Sequence, residues 1–391
     1  AGEGCAGTSE CTVSMTQARS VRATFESVAP PVPGFALYDD FSGSQIDAAK
    51  WQNLEYVREI RNGRLALKYR GGGPPGRASA DMQFANPSTI QSIRADVRLN
   101  AYSIPEGGSS RVQLGYRLYN DGTTNAGRTG DVTAVLYMTG RTSESGALIR
   151  YNVSKCADSE CRAGVDLIPA TTITSVGLGE AHTLGIAWDG AAITFTVDGQ
   201  ATVVDPTTVQ PIVNPNPNVH EKWLNARLAF AGAGGAGFAD GEVDTVSVTA
   251  TLYDDFDGAP HSGPRLDPTK WANLELVREV QNGRFVSKTA YVGAAGSRFY
   301  NFTHYANRQQ VTAARANVTV TEYESKGAWV DATALSGGFY NDGTSAGEKD
   351  RSGDVGALLR VSAYNGGLLA LYFSADRCSD ASCSAQPTFY S

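Results

Sequence analysis

The 391-residue chain carries 33 Lys and Arg against 40 Asp and Glu, giving a formal charge of −7 and a pI near 5.2. That balance excludes nonspecific nucleic-acid binding, which needs a basic face to displace phosphate counterions, and no apolar run approaches the ~20 residues of a membrane span. Only 19% of residues are charged and 43 are glycine, a composition of short strands and turns rather than amphipathic helices.

In chain order, residues 1–27 alternate as two short strands, Cys11-Thr12-Val13-Ser14-Met15 and Val21-Arg22-Ala23-Thr24-Phe25, and read as the C-terminal hairpin of an upstream β-repeat domain. Pro30, Pro31, Pro33 and Gly34 make 28–36 a stiff, strand-breaking linker. A first large domain is expected over 37–251. It opens on Leu37-Tyr38-Asp39-Asp40-Phe41, reaches Lys50-Trp51 and turns at Asn62-Gly63, a dipeptide whose tolerance of positive φ marks a hairpin. Further strands are expected at Ala95 to Leu99, with Ala316 to Val320 as its later counterpart, and at Val132 to Met138, Thr183 to Trp188, Ile193 to Val197 and Val243 to Val248.

The chain then repeats itself. Leu252-Tyr253-Asp254-Asp255-Phe256, Lys270-Trp271 and Asn282-Gly283 restate the opening about 220 residues later, so a second domain is expected over 252–391, with the distal strands of the first copy missing. Unpaired edges of that size invite another chain. The six cysteines fall into three close pairs, Cys5 with Cys11, Cys156 with Cys161 and Cys378 with Cys383. Local disulfides are the economical reading, because zinc sites want converging pairs or added histidines and the four histidines do not recur. Disulfides imply an oxidising, secreted or cell-surface compartment.

Taken together, the Asp-Asp-Phe-x-Gly opening, the Lys-Trp, the Asn-Gly hairpin, His182-x-Leu184-x-Ile186-x-Trp188-Asp189-Gly190, Val197-Asp198-Gly199 and Val243-Asp244-x-Val246-x-Val248 resemble the concanavalin A-like lectin/glucanase superfamily, in its laminin G-like bacterial branch. Residues 1–27 are similar to the end of an internalin B-type bacterial surface repeat. The resemblance implies an all-β fold, two tandem antiparallel β-sandwich jelly rolls, in which the first and last strands lie side by side and Phe41 and Val246 share a core.

Hydrolases of the superfamily place two carboxylates on one strand face. The nearest match, Glu242-Val243-Asp244, lacks the third acidic position. Glu55 with Glu59, repeated as Glu275 with Glu279, is interleaved with Arg58, Arg61 and Arg64 and reads as a charge ladder. No catalytic residue is therefore expected. In Tyr119-Asn120-Asp121-Gly122 leading to Gly130-Asp131, and Tyr340-Asn341-Asp342-Gly343 leading to Gly353-Asp354, the conserved ends of each block are expected to meet. Asp121, Asp131, Asp342 and Asp354 are candidate calcium ligands there, the alternative being a turn capped by Asp131. Trp223 and Trp329, which do not recur, are candidate ligand platforms, with Tyr119 and Tyr340 beside them. The expected function is a noncatalytic module pair for adhesion, binding a polysaccharide or protein, on a bacterial surface. The alternatives are an assembly protein, self-associating through its incomplete second domain, and more distantly a polysaccharide-active hydrolase.

Overall fold

Most of the expected strands are realised in a computed structural model that describes residues 35–72, 76–120, 127–141, 146–161, 163–204, 221–230, 236–258, 265–290, 300–324, 329–341, 351–364, 368–383 and 388–390; the one expected at Ala316 to Val320 is not strand. Its strands are β1 (Tyr56–Arg61), β2 (Arg64–Gly72), β3 (Gly76–Gln83), β4 (Ser92–Ser103), β5 (Ser109–Asn120), β6 (Asp131–Gly140), β7 (Ala147–Cys156), β8 (Gly164–Val176), β9 (His182–Trp188), β10 (Ile193–Val197), β11 (Gln200–Val204), β12 (Lys222–Phe230), β13 (Ala236–Val248), β14 (Thr251–Asp254), β15 (Leu276–Gln281), β16 (Arg284–Thr289), β17 (Trp329–Asn341), β18 (Asp354–Tyr364), β19 (Ala370–Arg377) and β20 (Thr388–Tyr390). Among the described residues there is no α-helix. The N-terminal hairpin, with Cys5 and Cys11, lies outside them.

Residues 38–311 form one compact unit, and residues 312–391 belong to another. The first is a two-sheet antiparallel jelly roll. One sheet runs β11-β10-β9-β4-β13-β2-β1-β15-β16, with β14 also on β13, and the other runs β3-β12-β5-β6-β7-β8. Alternate residues of facing strands fill the space between them: Leu65, Leu67, Ile93, Ala95, Val97 and Leu99 from the first sheet meet Val112, Leu114, Leu136, Met138, Leu224 and Leu228 from the second, all buried. Hydrophobic burial of this kind is the main stabilising term. The second unit carries a four-stranded meander, β17-β18-β19-β20.

The hairpin signals are realised as tight turns. Asn62 (φ 50°) and Gly63 (φ 70°) join β1 to β2, and Asn282 with Gly283 joins β15 to β16 in the same conformation, the positive-φ pair that matches strand twist. Cys156 with Cys161, and Cys378 with Cys383, form disulfides with Cα–Cα separations of 4.7 Å. The ends of the two Asn-Asp-Gly blocks do meet. They are the arms of hairpins, Asn120 opposite Asp131 and Asn341 opposite Asp354.

One expectation fails. Val246 pairs with Asp254, not with the first copy's opening segment, and shares a core with Phe256. Phe41 stacks instead on Trp51 and tilts against Phe285 of β16. The reason is local: β13 runs into β14 through a two-residue turn, Thr249 (φ 47°) and Ala250 (φ 65°), so the second copy's opening strand reaches the edge of β13 first.

Candidate functional site

The outward face of the six-stranded sheet is polar. Strand register lays its side chains out in rows, because residues directly opposite on neighbouring strands point to the same side. One row reads Asp81, Asn225, Gln113, Tyr137, Arg150 across β3, β12, β5, β6 and β7. The next reads Ser79, Arg227, Arg111, Thr139, Leu148, and the row on the other side reads Gln83, Trp223, Gly115, Val135, Asn152. The middle of this face is covered: Gln113 is fully buried and Asn225 and Tyr137 are 3% and 5% exposed. A depression of about 350 Å³ lined by Thr139, Leu148, Arg150 and Arg141 continues it toward one end.

The polar groups here are incompletely satisfied by the protein. Asn225 Nδ2 donates to Asp81 Oδ1 at 2.7 Å, but Asn225 Oδ1 and both polar atoms of the Gln113 amide find no protein partner. A buried amide in that state is costly, and its missing bonds fall to an ordered water or to a ligand group. The guanidinium of Arg111 lies 4.7 Å from the centre of the Tyr137 ring. Burial pushes Arg111 down to about 10, with Tyr137 opposing the shift and Arg77 adding to it. Arg227 is driven well below its ordinary value, first by burial, then by Arg111 and Arg77, against the pull of Asp81 and Tyr137. Guanidinium groups remain charged, so burying Arg111 and Arg227 carries a desolvation cost, offset in part for Arg227 by Asp81 and Tyr137.

Of the sequence candidates, Trp223 belongs to this face. It lies over Gly115, where a methyl group would overlap the indole, and its ring centre is 5.7 Å from the Arg117 guanidinium. Arg117 in turn pairs with Glu221 at 2.5 Å and approaches buried Asp131 at 3.9 Å. Asp131 therefore stands against a cation of the protein, at the start of β6, with its backbone N–H donating to the Arg128 carbonyl. Tyr119 is in β5, Trp329 and Tyr340 are in β17, and Asp354 begins β18; Asp121 and Asp342 lie outside the described residues. Among the described residues no three His, Cys, Asp or Glu side chains converge as a metal-ligand set. Glu242 is on the opposite sheet, 3.9 Å from both Arg64 and Arg98, and Arg61 bridges Glu59 and Glu279, so both acidic patterns are ion-pair ladders.

The residues not anticipated from sequence are Gln113, Asn225, Arg111, Arg227 and Tyr137. Their signal was present as alternation, in Arg111-Val112-Gln113-Leu114 and Trp223-Leu224-Asn225-Ala226-Arg227. What was lacking was the adjacency of β5 and β12.

A two-sheet antiparallel jelly roll with a polar outer sheet face is the architecture these observations define. No family model and no curated protein matches the chain. Solved structures do show similarity. A kappa-carrageenase from Pseudoalteromonas carrageenovora, in complex with a kappa-carrageenan oligosaccharide, is 13% identical over 56% of this chain and 98% of its own, with a TM-score of 0.26. An alginate lyase is 14% identical over 50% and 82%, with a TM-score of 0.30, and the catalytic domain of a laminarinase from Thermotoga petrophila is 13% identical over 54% and 96%, with a TM-score of 0.27. Similarities of this size assign no role to the chain. They do not reach the laminin G-like branch or the internalin-type segment. Against the expected noncatalytic module without enzymatic activity, the solved structures found are of polysaccharide hydrolases and lyases, and the functional reading is rebuilt below from the polar face.

Proposed function

We propose that this protein is a secreted polysaccharide-active enzyme whose cleft is the polar face of the six-stranded sheet, acting on an acidic polysaccharide by β-elimination. The observation that carries the reading is the fully buried Gln113 amide without a protein partner, set between Asn225 and Tyr137 in its row and beside Arg111 and Arg227 in the next. The three rows hold one carboxylate, Asp81, whereas hydrolysis of a glycosidic bond calls for two flanking the bond. Guanidinium, amide and phenol groups suit a different step. Arg111 and Arg227 pair with a uronate carboxylate while Gln113 and Asn225 hydrogen-bond it, which lowers the barrier to removing the proton on the adjacent ring carbon. Tyr137, in its phenolate form beside the Arg111 guanidinium, is the group placed to take that proton. The electron pair forms the ring double bond, the glycosidic C–O bond breaks, and the proton held by Tyr137 passes to the leaving oxygen, which restores the phenolate. Trp223 stacks a neighbouring sugar. The two disulfides support an oxidising, extracellular setting.

The test is a panel of polyuronates, sulfated galactans and neutral β-glucans, followed by ultraviolet absorbance of unsaturated uronate and by new reducing ends. Polyuronate cleavage with unsaturated ends, abolished in Tyr137→Phe, is expected. New reducing ends without unsaturation, or activity on neutral glucans alone, would overturn the assignment.

A further inference from the structure

The two copies are related about a local pseudo-twofold axis between Val57 and Val277. These residues face each other across β1 and β15, flanked by Tyr56 opposite Arg278 and Arg58 opposite Leu276. Contacts around the axis come in matched pairs. Arg58 Nε donates to the Leu274 carbonyl at 2.6 Å, and Arg278 Nε donates to the Leu54 carbonyl at 2.7 Å. Gln52 N–H donates to the His304 carbonyl and Ala272 N–H to the Gln83 carbonyl, both at 2.9 Å. Trp51 bridges to Tyr305, and Trp271 to Phe84.

Each opening segment has the same internal structure. The first-copy tyrosine, Tyr38, donates to the Lys50 carbonyl at 2.7 Å and Trp51 Nε1 to Asp39 at 2.7 Å; Tyr253 donates to the Lys270 carbonyl at 2.6 Å and Trp271 Nε1 to Asp254 at 2.8 Å. The segments are thus equivalent parts placed in each other's copies. Phe256, Leu266 and Trp271 of the second copy are buried in the core of the first. Phe41 and Trp51 of the first pack on Phe285 and Tyr305 of the second.

From this we infer that the tandem copies complete each other by exchange: the seat formed by Phe84 and the edge of β13 is a docking surface for the Tyr-Asp-Asp-Phe…Lys-Trp segment of the following copy, in the same chain. The two-residue connection at Thr249–Ala250 favours that occupant, because closing so short a loop costs far less entropy than returning Phe41 to β13 across some two hundred residues. The first domain is then not self-sufficient at residue 251. It needs the chain through about Leu276, and the second copy needs residues 38–54. The inference is independent of the catalytic reading.

Cysteine pairs in the full chain discriminate the exchanged arrangement from the unexchanged one. Gln83 N–H donates to Asn273 Oδ1 at 3.0 Å, and Asn53 is the first-copy counterpart of Asn273. On mild oxidation, the Gln83→Cys, Asn273→Cys variant should cross-link within one chain and the Gln83→Cys, Asn53→Cys variant should not, read by non-reducing peptide mass spectrometry. A link between 83 and 53, or one between 83 and 273 that joins two chains, would overturn the inference. Amide exchange gives a second readout. Asp254→Asn should raise exchange about tenfold or more at 243–248 and leave 302–306 unchanged, and Asp39→Asn should do the reverse; the opposite pattern would refute it.

Discussion

Replacing Gln113 by methionine should make the protein more stable and less active at once. The side chain is fully buried, and neither Oε1 nor Nε2 has a protein partner. An unsatisfied buried amide costs about 1–3 kcal/mol, and methionine keeps the length and volume of glutamine while removing both polar atoms. Its neighbours in the row, Asn225 and Tyr137, lose no hydrogen bond, because none to Gln113 exists. The expected gain is therefore on the order of 1–3 kcal/mol, toward the lower end if water reaches the amide in solution. For a cooperative unit spanning 38–311, this corresponds to a rise in melting temperature of roughly 2 to 6 °C. Cleavage of polyuronate should fall about a hundredfold or more, the loss typical of one preorganised donor. Urea denaturation at constant m-value measures the first effect and initial rates the second. A variant that is destabilised, or that cleaves at the parental rate, would refute the assignment of Gln113 as a ligand-facing group.

Two further outcomes follow from neighbouring residues. Gly115→Ala places a methyl group where the Trp223 indole lies, so it should dislodge the ring and weaken oligosaccharide binding by titration calorimetry, while Gly115 to Val135 strand pairing keeps the fold intact; unchanged affinity would remove Trp223 from the cleft. Lys222, buried with Nζ donating to the Pro87 carbonyl at 2.7 Å, is pushed down to about 8 by burial. The folded state then binds fewer protons than the unfolded state between pH 8 and the ordinary lysine value of 10.5, so stability should climb with pH through that window. Lys222→Met should flatten the climb in urea titrations at successive pH values, and an equal slope in both proteins would show that another group is responsible.

Much of the architecture was legible because it is encoded locally. Asn62-Gly63 and Asn282-Gly283 announce their turns by chemistry alone, the close cysteine pairs need only a few residues of chain to meet, and Asn120 faces Asp131 because one hairpin joins them. The cleft was not legible for the opposite reason. Gln113 and Asn225 become neighbours only when β12 enters the sheet between β3 and β5, and no period within one strand encodes that choice. Trp223 was singled out because it does not recur, and it does lie on the polar face beside Gly115. Glu242 drew notice by carboxylate spacing, yet its strand belongs to the other sheet. The pairing of Val246 was misread because the superfamily likeness describes one copy at a time, whereas a two-residue turn delivers Asp254 to that edge.

The pairing of β1 with β15 bears on why the copies occur in tandem. Beyond β2, strand β1 of a solitary copy would end its sheet with open backbone donors and acceptors at Tyr56, Val57 and Arg58, a template for aggregation. Here the matching strand of the duplicate covers those residues, and they cover it in return. Duplication thus turns a sticky margin into an internal seam, so a gene fragment encoding one copy should yield poorly soluble material even where every residue of that copy is present.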